Sequence, residues 1–235
     1  MAKTAKEKFK TKHHIFDDFT NRGIFKLISQ GHFKGLIGPV SVGKESNVFS
    51  AQTKDGRKLI VKIYRLETCD FKRMYYYIMD DPRFQGLRNR RRQVIFTWCQ
   101  REFRNLLNAR EAGVRVPMPI TFLNNILVME HIGDNGAAPK LKDSHPKNKK
   151  EFFNGILNNI KKLYNAGFVH GDLSHFNILN YRENPVFIDL SHTTPIKNPN
   201  SKELLERDIV NICNFFGKIG LKTDKEKVLE KILSN

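Results

Sequence analysis

Little in this 235-residue chain would hold it outside a cell or inside a membrane. It has three cysteines, Cys69, Cys99 and Cys213, an odd number set far apart, so they form neither a disulfide framework nor a metal pattern. A reducing cytoplasm is the expectation. No apolar run nears the ~18 residues of a membrane span, so no membrane partner is expected. The basic start MAKTAKEKFKTKHH is followed by no apolar stretch, which argues against a secretory signal. It carries Glu7 and no Arg or Ser, which argues against a transit peptide. Internal repeats are absent. Negative charge is scarce: 24 Asp and Glu face 41 Lys and Arg, a formal net charge of +17. That excess suits a polyanion, most simply nucleic acid, or else a solvated Lys-rich surface.

Apolar residues are present in quantity, at 40%, and the length suits one sizeable domain or two small lobes. Residues 1–19 read as a basic arm. FTNRGIFKLISQGHF has apolar positions at helical spacing and reads as a short helix ending near Gly31. NVFSAQT and KLIVKIY are β-rich runs joined by an Asp-Gly turn. GPVSVGKES is expected to lie between the first strand and the second. Residues 65–92 read as a long irregular insertion holding Arg83, Arg88, Arg90, Arg91 and Arg92. VIFTWCQREFRNLLNAREAG then reads as a helix, and PITFLNNILVMEHIG as a hairpin turning at Asn124-Asn125. A polar connector over 134–150 precedes the helix EFFNGILNNIKKLYNAG. Two short strands follow, around NILNY and PVFIDL, and two more helices complete the chain. The expected organisation is an N-terminal β-rich half over 20–132 and a helical half over 133–235.

The stretch VHGDLSHFNILNYRENPVFIDL carries the chemistry. Buried carboxylates are costly unless paired or bound to a cation. Asp172 and Asn177 stand five apart, and Asp189 lies twelve beyond Asn177. Protein kinases use this order: an Asp as base, an Asn on metal and a second Asp on Mg2+. Plain structural roles, turn caps and a strand end, are the bland alternative. Upstream, Lys62 sits inside the β-run LIVKIY; it is either on an exposed edge or aimed into a cleft, where it would need an anion. Glu102, on the following helix, can supply one, as in the kinase Lys–Glu pair. Gly43 opens a turn whose backbone N–H groups could approach phosphates, with Ser41 and Lys44 adding a hydroxyl and a charge. By itself that turn is a weak signal.

Together these pieces resemble the RIO family of atypical protein kinases, closest to its first branch and to archaeal members. The matching segments are GPVSVGKESNVF, IVKIYR, DDPRF, REFRNLLNAREAGVRVPMPI, NNILVMEHIG, VHGDLSHFNIL, FIDLSH and LLERDIVNI, spanning about 20–220. The resemblance implies a minimal two-lobed α+β protein-kinase-like fold and phosphoryl transfer from ATP with Mg2+, Mn2+ being a substitute. It implies that Ser41, Gly43 and Lys44 cover the phosphates and that Lys62, oriented by Glu102, contacts them. Met129, Glu130 and Ile132 would form the hinge, with backbone groups of Glu130 and Ile132 meeting adenine. Asp172 would be the catalytic aspartate, while Asn177 and Asp189 would hold Mg2+. Asp189 would also accept phosphate as an aspartyl-phosphate, and Asp208 would brace the catalytic loop.

The departures from ordinary kinases shape the expected activity. HGD replaces HRD, IDL replaces DFG, and nineteen positions separate Asp189 from Asp208. No room is left for an activation segment or a peptide-docking platform. An ATPase-like switch with autophosphorylation is therefore expected, serving maturation of the small ribosomal subunit on its precursor rRNA, as the family implies. About forty residues precede the Gly turn, too few for the winged helix of the second branch. HGDLxxxN also occurs in small-molecule phosphotransferases and in the kinase-like ATPase of the tRNA threonylcarbamoylation complex; these, and a catalytically inert RNA-binding module, are the alternatives.

Overall fold

A computed structural model describes residues 16–234. The basic arm expected over 1–19 lies outside the described residues as far as residue 15. By Asp18 the chain is already helical: α1 runs Asp18–Ser29, its first turn capped where Asp17 accepts from the Thr20 N–H at 2.9 Å.

Strands β1 (Leu36–Val42), β2 (Ser46–Gln52), β3 (Lys58–Tyr64), β4 (Pro119–Leu123) and β5 (Ile126–Glu130) form one antiparallel sheet in the order β1-β2-β3-β5-β4. Alternation sorts β3 between two faces. Leu59, Val61 and Ile63 join Ile24, Leu27 and Phe33 in a small core under α1. Gly23 permits the close approach, since a Cβ there would stand 2.9 Å from Ile126 Cδ1. The opposite face of β3 carries Ile60, Lys62 and Tyr64 and looks toward the rest of the molecule.

Two expectations about this half are corrected. GPVSV is not a loop: Gly38–Val42 belong to β1, leaving only Gly43–Glu45 as the turn. Pro39 is tolerated because β1 is the edge strand and its pairing shifts register on either side. Nor is the 65–92 insertion irregular. It holds helix α2 (Phe71–Met79) and a 3-10 turn (Pro82–Phe84), seated on the main core by Met74, Ile78 and Phe84.

Helix α3 (Arg91–Glu111) packs across the sheet and against the second half. After β5 the chain has no helix until α4 (Lys149–Asn165). α4 buries Phe152, Phe153, Ile156, Leu157, Ile160 and Leu163 against α6 and against short strands between residues 168 and 195. Those are β6 (Phe168–Val169), paired with β9 (Thr194–Pro195), and the hairpin β7 (Ile178–Tyr181)–β8 (Asn184–Phe187). Helices α5 (Ser201–Lys218) and α6 (Lys225–Leu233) complete this lobe. Among the described residues no helix is long and apolar enough to cross a membrane. The architecture is the expected α+β one, a β-rich lobe on a helical lobe.

Candidate functional site

Lys62 is in the middle of β3 and 5% exposed, so its ammonium requires a counter-charge. It has two: Nζ lies 2.8 Å from Glu102 Oε1 on α3 and 2.9 Å from Asp189 Oδ1 on the other lobe. Burial pushes the Lys62 pKa down, but Asp189 and Glu102 outweigh it and hold the ammonium firmly protonated. Glu102 shifts up, because its burial outweighs Lys62. Its second oxygen accepts from the Tyr64 hydroxyl. Tyr64 was not among the expected residues, yet it stands two positions after Lys62 and so on the same strand face.

Asp189 follows β8 with φ 59°, ψ 66°, a left-handed conformation rare for a side-chain-bearing residue. It turns the carboxylate out of the strand direction toward the other lobe. Burial pushes its carboxyl up, but Lys62, with help from the Ser191 hydroxyl at 2.8 Å, holds it well below the usual carboxylate range. It is therefore an anion at any physiological pH.

Asp172 and Asn177 converge as expected. Asn177 Nδ2 donates to the Asp172 carbonyl at 2.8 Å and to Asp172 Oδ2 at 3.1 Å. The Asn177 carbonyl accepts from the Ile188 N–H at 2.9 Å, tying the catalytic loop to the segment before Asp189. Burial first, and then the Asp189 charge, push the Asp172 carboxyl up. His170 donates from Nε2 to the Ile188 carbonyl at 3.3 Å, since a carbonyl can only accept. Its burial depresses the imidazole to about 4 and keeps it neutral. Asp208 accepts from the Gly171 N–H at 2.8 Å and the Leu173 N–H at 2.7 Å, the bracing position expected of it. Gly171 has φ +78°, and a Cβ there would stand 2.8 Å from the His192 carbonyl, so only glycine fits.

The other expected residues are placed less tightly. Ser41, Gly43 and Lys44 are exposed at the β1–β2 tip, where the Gly43 N–H donates to the Ser46 carbonyl at 2.9 Å. The insertion holds this turn from behind: Thr68 Oγ1 donates to the Lys44 carbonyl at 2.7 Å and Cys69 Sγ to the Glu45 carbonyl at 2.9 Å. Glu45 was also missed. Its carboxyl is pushed up by burial first and then by the Asp189 charge. At the hinge, the Glu130 side chain is taken by Arg115 in a two-point contact of 2.9 and 2.8 Å, and its N–H by the Met118 carbonyl. The Ile132 carbonyl accepts from Ala138 N–H at 2.8 Å. The Glu130 carboxylate is thus committed within the chain.

A sheet lobe with a buried Lys–Glu pair, set against a helical lobe with an Asp/Asn/Asp constellation, defines a protein-kinase-like phosphotransferase. Residues 47–229 match the RIO domain family. The chain is 39% identical over 225 residues to the RIO-type serine/threonine-protein kinase Rio1 of Haloferax volcanii, covering 95% of this chain and 78% of that one. It is 44% identical over 212 residues to Rio1 of Methanocaldococcus jannaschii, covering 89% and 72%. Among solved structures it resembles the Rio2 kinase–ADP/Mg2+–phosphoaspartate complex of Chaetomium thermophilum, with a TM-score of 0.70 at 21% identity over 90% of this chain and 65% of that one. The chain belongs to the RIO family of serine/threonine-protein kinases.

Proposed function

We propose that this chain binds Mg-ATP between its lobes and transfers the γ-phosphoryl group, working as an ATPase-like switch that also phosphorylates itself on Ser or Thr. The observation that carries the reading is the Lys62 ammonium, shared between Glu102 at 2.8 Å and Asp189 at 2.9 Å across the lobes. A third Lys62 N–H remains for a phosphate oxygen. Backbone groups of Glu130 and Ile132 meet adenine, and Ser41, Gly43 and Lys44 cover the phosphates.

The residues fit Mg2+. Asn177 spends its amide N–H groups on Asp172, which leaves its amide oxygen for a cation, and Asp189 offers an ionised carboxylate. Among the described residues no group of three or more His, Cys, Asp or Glu could hold a metal ion unaided. A site of one amide and one carboxylate oxygen suits Mg2+, which keeps waters and borrows phosphate oxygens; Mn2+, also at home with oxygen donors, substitutes for it. Bound there, the cation neutralises charge on the β- and γ-phosphates. Asp172, with its raised carboxyl, is the base that takes the proton from the attacking hydroxyl or water.

Asp189 is also the covalent acceptor. A carboxylate oxygen bonds to the γ-phosphorus, the bond to the β-phosphate oxygen breaks, and ADP leaves with its electron pair. Water then hydrolyses the acyl phosphate. The phosphoaspartate of the Chaetomium Rio2 complex supports this step.

The partner is the precursor of the small ribosomal subunit and its rRNA, in the cytoplasm. The +17 charge supports it, and the insertion narrows the contact. Arg83 is engaged by Asp81, and Arg91 donates to the Leu66 carbonyl at 2.5 Å and to those of Glu67 and Cys69. Arg88, Arg90 and Arg92 are exposed, Arg92 with its guanidinium over the Phe19 ring at 5.3 Å. RIO membership favours this reading over the tRNA-complex ATPase and the small-molecule phosphotransferases. Two measurements test it: γ-labelled ATP should leave hydroxylamine-labile phosphate on the chain, and the chain should co-sediment with small-subunit precursors. Absence of any hydroxylamine-labile label on the chain, or sedimentation with tRNA-modification proteins, overturns it.

A further inference from the structure

The insertion ends in a buried polar junction that the phosphoryl-transfer chemistry does not use directly. Arg101 and Glu102 are neighbours on α3, so their side chains diverge by about 100° around the helix. Glu102 turns to Lys62; Arg101 turns to the loop just after Asp189. Arg101 is fully buried and spends its fork on three partners. Nε donates to Asp81 Oδ2 at 3.1 Å, Nη2 to Thr194 Oγ1 at 3.0 Å, and Nη1 to the Ser191 carbonyl. One turn along, Asn105 is also fully buried and donates from Nδ2 to the Leu190 carbonyl at 2.8 Å and the Thr193 carbonyl at 3.0 Å.

The other side of the junction comes from the insertion. Asp81 is fully buried and accepts from Arg83 Nε at 2.8 Å and Nη2 at 2.6 Å as well as from Arg101. Arg83 Nη2 also donates to Asn105 Oδ1 at 2.9 Å, which fixes the way the amide faces. His192, in the same loop, is held edge-on by Tyr77 of α2 and Trp98 of α3, with ring centroids 5.0 and 5.1 Å away. Four acceptors of residues 190–194 are thus held by two side chains of the helix that also carries Glu102. The loop begins one residue after Asp189 with a 3-10 turn over Leu190–His192, where the Thr193 N–H donates to the Leu190 carbonyl at 3.1 Å, and it runs into β9.

We propose that Arg101 and Asn105 are positioning residues that lock the loop after Asp189 to α3, with Asp81 of the insertion as their counter-charge, so that the seating of the insertion sets the position of the Asp189 carboxylate. Besides its own 3-10 turn and the β6–β9 pairing, this loop is anchored non-locally, by the helix that also carries Glu102. The proposal rests on Asp189 being a metal ligand only in its last link, and the tests separate the two.

The first test is backbone hydrogen exchange on the metal-free, nucleotide-free chain, comparing Asn105→Ala, Arg101→Lys and Thr194→Val. Arg101→Lys keeps a charge beside Asp81, but its single ammonium nitrogen cannot span the three sites that the three guanidinium nitrogens reach. Thr194→Val keeps the side-chain shape, removes one acceptor, and is the variant expected to fold in any case. Exchange across 190–194 should rise about tenfold in the first two and a few-fold in Thr194→Val, while protection in β3 and α3 stays within about twofold. The second test is Mn2+ binding by electron paramagnetic resonance in the presence of ADP. Affinity should fall about fivefold or more in the variants, while ADP binding in chelator stays within about twofold. Unchanged exchange in the loop for the folded variants overturns the lock, as does exchange that rises equally everywhere. Altered loop exchange with unchanged Mn2+ affinity overturns the link to Asp189. Failure of the parent chain itself to bind Mn2+ with ADP refutes the metal reading and leaves the exchange result to decide the lock.

Discussion

Glu102→Gln removes one charge and nearly nothing else. The side chain is 1% exposed, accepts from Lys62 Nζ at 2.8 Å through one oxygen, and from the Tyr64 hydroxyl through the other. Opposite unit charges at that distance attract by about 6 kcal/mol at an effective dielectric near 20. Stripping water from two buried ions offsets most of this. The glutamine carbonyl still accepts from Lys62, Tyr64 can turn its hydroxyl to accept from the new amide, and Asp189 stays at 2.9 Å as a second counter-charge. What is lost is the difference between a charged and a neutral buried hydrogen bond plus some orientation, about 2 kcal/mol. For a chain of this size that lowers Tm by about 4–8 °C. If the pair holds Lys62 against the phosphates, the same loss in the transition state cuts kcat/KM for ATP about 30-fold. The assay is steady-state ATP turnover alongside a thermal melt of the same preparation. A lower Tm with kcat/KM within about twofold of the parent would refute the reasoning: the pair would then be structural only.

Four further outcomes follow from the same geometry. Burial and the Asp189 charge raise the Asp172 carboxyl, so as a base Asp172 fails on acidification at a pH above the ordinary 3.8; the rising limb of kcat against pH should sit there, and Asp172→Asn should abolish turnover with it. Asp189 shifts the other way, so its stabilisation is complete above about pH 4 and fades as the pH falls toward its folded value; melts between pH 5 and 2 should show a loss that Asp189→Asn lacks. Neutralising Arg88, Arg90 and Arg92 should reduce the salt slope of RNA binding by about one per lost phosphate contact, whereas Arg83→Ala and Arg91→Ala should lower Tm, because their guanidinium groups are committed within the chain. Gly171→Ala should destabilise the chain by about 1–3 kcal/mol, through a positive φ and a Cβ pressed on the His192 carbonyl, as read by chemical denaturation.

Where function rests on short spacings, the sequence was a good guide. Asp172 and Asn177 sit on one loop, Asp189 ends one hairpin, and Lys62 occupies one strand position, so local pattern and motif order were enough. The turn at Asn124-Asn125 and the ends at Gly31, Gly113 and Gly167 were legible because positive φ restricts the residue type. The insertion was misread although a signal was present: Phe71, Met74 and Ile78 recur at helical spacing behind Asp70, which caps the helix. Three consecutive tyrosines and the arginines around them masked it. The arginine cluster could not be sorted from sequence, since Arg83 and Arg88 differ only in what lies beside them in space. The contacts of Arg101 and Asn105 with residues 190–194 were invisible for the same reason. Arg101 and Ser191 are ninety positions apart, and no local rule links them. Tyr64 and Glu45 were within reach, being on the same face as Lys62 and in the same turn as Gly43.

We propose that Asp172, Asn177 and Asp189 make a Mg-ATP phosphoryl-transfer site. Mg2+-dependent ATP turnover by Asp189→Ala, with its fold checked by circular dichroism, tests it most directly. The variant should stay folded while its turnover falls about a hundredfold or more and is not restored by added Mg2+. Parent-level turnover in that folded variant would contradict it.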